Sequence, residues 1–71
     1  MTALERFWFR WYRKHLGLPA IRAKLCSHIM KQELETRSWR PSQAFSMARW
    51  YGHTWKKVPE RIVASTLQQY L

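Results

Sequence analysis

The stretch TALERFWFRWYRKHLG, residues 2–17, decides the fold class. Thr2 followed three residues later by Glu5 is the capping-box signature of a helix start, in which each side chain accepts from the other residue's backbone N–H. Leu4, Phe7, Trp8, Trp11, His15 and Leu16 then recur with the i, i+3, i+4, i+7 spacing of one helical face. Arg6, Arg10, Arg13 and Lys14 take the other side, and Arg13, Lys14 and His15 sit favourably near the negative end of the helix dipole. Gly17 supplies a left-handed stop. The segment predicts a helix over 2–16.

Working outward, Pro19 suits the first turn of a second helix, where its missing N–H has no partner to lose. Ile21, Leu25, Cys26, Ile29, Met30 and Leu34 form an apolar stripe over 19–36, with Arg22, Lys24, Lys31, Gln32 and Glu35 expected to face outward. The short Gly17–Pro19 connection favours an antiparallel helical hairpin. Residues 37–40 read as a connector carrying Trp39, and a third helix over 42–52 shows Ala44, Phe45, Ala48 and Tyr51 on one face; Gly52 either ends it or is tolerated inside it at about 1 kcal/mol relative to Ala, in which case Trp55 joins that face. Pro59 and Glu60 open a fourth helix over 59–71 with Ile62, Val63, Leu67, Tyr70 and Leu71 apolar. No segment alternates like a strand. The expected fold is all-α: one domain, residues 1–71, built as a compact bundle of three to four short helices.

Charge is the strongest functional signal. Thirteen Lys and Arg oppose four acidic residues, for a net charge of +9 on a chain that is 46% apolar. Such one-sided charge destabilises a compact fold by self-repulsion and is most simply matched by an anionic partner. The apolar content is too high for a disordered basic tail. Cys26 is the sole cysteine, so an intramolecular disulfide is excluded and a reduced intracellular thiol is expected. No run approaches the roughly 20 apolar residues of a membrane span. The first residues lack a signal peptide's apolar stretch; their Arg-rich, acid-poor character overlaps with a mitochondrial presequence, against which the dense aromatics argue for a segment that packs. A cytoplasmic location is expected.

Chemistry has few groups to draw on. Glu5 is accounted for as a cap, and Glu33 and Glu35 stand two apart on a helix, pointing in different directions. Cys26 and His28 make a Cys-x-His pair, but His15 and His53 are isolated and structural zinc needs four ligands. No metal site, cofactor or catalytic residue is expected, and the protein reads as a binding module.

Ala44–Ile62 invites comparison with a helix-turn-helix, Ala48 and Gly52 occupying the small and turn positions. Pro59 would then lie inside the recognition helix at a cost of about 3 kcal/mol. If the motif held, His53, Thr54, Lys56 and Lys57 would face the groove. Cations adjoin aromatics at Arg10–Trp11, Trp39–Arg40, Arg49–Trp50 and Trp55–Lys56–Lys57, a pairing that can stack on bases while neutralising phosphates. The alternative is that these Trp are core residues beside snorkelling cations, the simpler account of Trp11 and Trp50. Trp39, flanked by Arg37 and Arg40, is the favoured functional aromatic. The expected binding residues are Arg37, Trp39, Arg40, Arg49, His53, Thr54, Lys56, Lys57 and Arg61, with Arg6, Arg10, Arg13 and Lys14 as a secondary basic face. A basic and aromatic first helix also suits a membrane surface, although packing into a bundle explains the same pattern.

Trp11-Tyr12-Arg13, followed by Arg22, Leu25, Ile29 and Leu34, resembles the small mitochondrial LYR-motif proteins over Trp11 to about Gly52. Trp11 replaces the motif's Leu, Leu34 stands where that family tends to have Phe, and the gap between them is short by about one helical turn. The resemblance implies a three-helix adaptor, mitochondrial, that docks on an acidic protein. Two functions therefore stand side by side: a nucleic-acid-binding regulator, DNA or RNA, and an accessory subunit, adaptor or inhibitor on an acidic protein surface.

Overall fold

A computed structural model describes all residues, 1–71, and is entirely helical: α1 Ala3–His15, α2 Ala20–Thr36, α3 Pro41–Lys56 and α4 Glu60–Gln68. The α1 capping box forms as the sequence implies, Glu5 N–H donating to Thr2 Oγ1 at 3.2 Å and Thr2 N–H to Glu5 Oε1 at 3.2 Å. Gly17 adopts φ 62°, the left-handed conformation that turns the chain into α2.

Helix α2 is the hub, and α1, α3 and α4 all pack on it. Its burial extends beyond the expected stripe. Ala23 and Ser27 are fully buried, and the small Ala23 side chain packs in the cluster that holds the Trp8 and Tyr12 rings of α1. Ser27 satisfies its hydroxyl locally by donating to the Lys24 carbonyl at 2.7 Å. Two apolar clusters result. Trp8, Tyr12, Leu18, Ala23, Cys26, Met30, Ala44 and Ala48 join α1 and α3 to one side of α2. Leu25, Ile29, Val63 and Leu67 join α4 to the other.

Helix α1 is turned from its expected orientation. Its buried residues are Glu5, Trp8 and Tyr12, whereas Leu4 and Phe7 are exposed. On a wheel of 100° per residue, the buried face lies roughly 60° from the centre of the expected apolar stripe. Two polar anchors account for the rotation. The Tyr12 hydroxyl donates to the Ala48 carbonyl at 2.7 Å, and Glu5 turns inward to meet His28 Nδ1 at 2.5 Å and Lys31 Nζ at 3.6 Å. Burial acts to raise the Glu5 pKa; the hydrogen bonds from Thr2 and the charges of His28 and Lys31 outweigh it, leaving the carboxyl below its ordinary value.

Helix α3 does not stop at Gly52. It runs one further turn to Lys56 because Gly52 is helical and serves a crossing: a Cβ there would collide with Leu16 Cδ1 and lie 2.9 Å from Tyr12 Cε1. The missing side chain brings α3 close to the end of α1. Termination falls to Pro59, which disfavours helical geometry at Val58. Arg22, expected to face solvent, caps this end, its Nη1 donating to the Trp55 carbonyl at 2.5 Å and the Val58 carbonyl at 2.6 Å. Helix α4 is shorter than expected, since Gln69, Tyr70 and Leu71 donate to carbonyls three residues back in a tightened final turn.

Candidate functional site

The outer face of α1 carries the densest unpaired charge. Arg6, Arg10, Arg13 and Lys14 are all exposed and none meets a carboxylate. The four acids are used elsewhere: Glu5 with His28 and Lys31, Glu35 with Lys31, Glu33 with Arg37, and Glu60 in the first turn of α4. Only Lys31 and Arg37 of the thirteen Lys and Arg meet a carboxylate, so α1 stands out for carrying four exposed, unpaired cations within nine residues rather than for lacking an acidic partner.

A shallow depression of about 710 Å³ runs along this face. Arg6, Arg10 and Lys14 border one side and Phe7, Trp11 and His15 the other. Phe7 is 48% exposed, its ring edge-on to Trp8 at 5.1 Å. Trp11 is half-buried, 5.7 Å from the Phe45 ring of α3 and 5.5 Å from the His15 ring. Phe45 continues the aromatic ledge onto α3, and Arg49 follows one turn later, its Nη1 donating to the Phe45 carbonyl at 3.4 Å. Lys56 falls on the same side of α3, eleven residues from Phe45 and so three turns along.

The other expected binding residues are scattered. Arg37 is tied to Glu33 at 2.9 Å, and Arg40 occupies the cap of α3, where its N–H donates to Gln43 Oε1 at 2.9 Å. Trp39 is half-buried against the α1–α3 cluster. Trp50, read from the sequence as core, is instead 59% exposed. His53, Thr54 and Lys56 lie in the last turn of α3 and Lys57 just beyond it, all exposed, and the Thr54 hydroxyl donates to the Trp50 carbonyl at 2.8 Å. Because α3 passes straight through Gly52, these residues do not open a recognition helix, and the helix-turn-helix comparison fails. Arg61 is exposed on α4. The α1 face, secondary in the sequence reading, is where cations and rings converge; the repeated cation–aromatic pairs were the available signal.

Glu5 and His28 also converge, beside a second depression lined by Met1, Lys24 and Leu71. The carboxylate is occupied by Thr2, His28 and Lys31, the His28 ring stacks on Tyr70 at 5.8 Å, and its Nε2 is buried without a partner. No hydroxyl or thiol stands at that nitrogen to be activated, and Cys26, whose pKa burial raises to about 12 against the opposing charge of Arg22, is buried in the core. The pair acts as a strut between α1 and α2. No group of three His, Cys or acidic side chains is positioned to hold a metal ion, and no helix is long and apolar enough to cross a membrane.

No family model, no curated protein and no solved structure matches the chain. Of the LYR-like residues, Tyr12 is spent on the Ala48 carbonyl inside the core and Arg13 points to solvent.

Proposed function

We propose that this protein is a small nucleic-acid-binding regulator that engages the phosphate backbone through Lys and Arg with aromatic support, without chemistry of its own. The observation that carries this reading is the acid-free α1 face, where Arg6, Arg10 and Lys14 share a depression with Phe7 and Trp11, Phe45 continues the ledge, and Arg13 is exposed further round the helix. Arg49 and Lys56 extend it along α3. Such a surface attracts a polyanion at long range and offers rings on arrival. Fluorescence anisotropy of labelled oligonucleotides across a salt series tests it. Log affinity is expected to fall linearly with log salt, with a slope of about −0.9 per phosphate neutralised on duplex or −0.7 on single strands. An absence of binding at low salt would refute the reading.

A second reading, docking on an acidic protein, is favoured by one observation. Trp50 stands exposed between Arg49 and Tyr51 on the outside of α3, and Trp and Arg are the residues that dominate protein interfaces. On that reading Trp50→Ala removes partner binding while oligonucleotide affinity stays at zero.

A further inference from the structure

The depression on α1 is built from a repeated unit. Arg6–Phe7, Arg10–Trp11 and Lys14–His15 are three cation–ring pairs at a constant spacing of four residues, and all six side chains line the same depression. Four residues of helix advance about 6 Å and rotate about 40°. The cations therefore form one gently winding row and the rings a parallel one, and the spatial neighbours across the rows are the i,i+3 pairs Phe7 with Arg10 and Trp11 with Lys14.

Resting on the nucleic-acid reading above, we infer that this face is a track for single-stranded nucleic acid, the cation row taking phosphates and the ring row, led by the exposed Phe7, taking bases. One property favours a single strand over duplex: the Phe7 ring, 48% exposed, offers a stacking surface, which paired bases inside a duplex cannot meet and unpaired bases can. Sequence preference at such a track is weak, since every base has a face to stack.

The test compares a labelled single-stranded oligothymidine with a duplex of equal length, using the full chain at several salt concentrations. Single-strand affinity is expected to exceed duplex affinity by about tenfold or more. Phe7→Ala is expected to lower single-strand affinity roughly 5- to 150-fold, the range of one lost base–ring stack, while leaving the salt slope unchanged. Phe7→Trp is expected to keep the affinity. Arg10→Ala is expected to reduce the salt slope by about 0.7. Equal affinity for duplex and single strand in the unaltered protein overturns the track while leaving general nucleic-acid binding intact, and this comparison does not depend on any variant folding. A Phe7→Ala protein that folds and binds normally overturns it as well. No binding to either oligonucleotide overturns both proposals.

Discussion

Replacing Gly52 by Ala tests the packing of α1 against α3. In an isolated helix this substitution is favourable by about 1 kcal/mol. Gly52 has helical backbone geometry, with Gly17 the sole residue at positive φ, so Ala meets no conformational barrier. The opposing effect is steric. The new methyl would overlap Leu16 Cδ1 and approach Tyr12 Cε1 to 2.9 Å. Leu16 is half-buried and can move, but the Tyr12 ring is buried and held by its hydrogen bond to Ala48. Overfilling a packed site costs about 1–3 kcal/mol, so the net expectation is a loss of about 1 kcal/mol. In a domain of this size that lowers Tm by about 4–8 °C in a thermal melt followed by circular dichroism. Placing Gly52→Ala in a Leu16→Ala background removes the nearer obstacle and is expected to shrink the loss. A single Gly52→Ala variant that melts higher than the parent would refute the crossing geometry.

Other consequences follow from the buried polar anchors. The folded-state pKa of Glu5 lies below its ordinary 4.5, so its stabilising contribution is complete above that value and fades as pH falls through the folded pKa. Glu5→Gln is expected to flatten that part of the acid limb in urea melts at successive pH values; an unchanged limb counts against the strut. Arg22→Met removes two charge-assisted hydrogen bonds from the end of α3, with an expected cost of about 2–3 kcal/mol and faster amide exchange in α4, whereas unchanged α4 protection contradicts the capping role. The Cys26 thiol, buried with its pKa raised to about 12, is expected to resist a thiol reagent until the protein unfolds, and rapid labelling of the native chain would show that the core opens there.

The helices were legible because their signals are local. Thr2 and Glu5 mark a start, Gly17 a stop, and Pro19 and Pro59 each precede a helix, whatever lies across the core. Features that depend on distant partners were not legible. Gly52 has the same identity at a helix stop and at a helix crossing, and only Tyr12 and Leu16, some forty residues earlier, decide between them. The rotation of α1 is likewise set by His28, Lys31 and the Ala48 carbonyl, so Phe7 emerged exposed although it belongs to the apolar periodicity. Trp39 and Trp50 exchanged places for the same reason. The connector folds Trp39 onto the core, while Trp50 follows the outer side of an α3 that continues past Gly52. Of the candidate site, the cation–aromatic adjacency could be read directly; that α1 alone repeats it along one open depression required the packing.

The central claim is that surplus positive charge on the α1 face meets a nucleic-acid backbone. Two charge-reversed variants of equal net charge test it most directly: Arg10→Glu with Lys14→Glu on α1, and Lys57→Glu with Arg61→Glu at the start of the α4 region. Oligothymidine affinity at low salt is expected to drop roughly tenfold or more further in the α1 pair than in the other. Equal losses in the two pairs, with both proteins folded, would contradict the assignment of binding to this face.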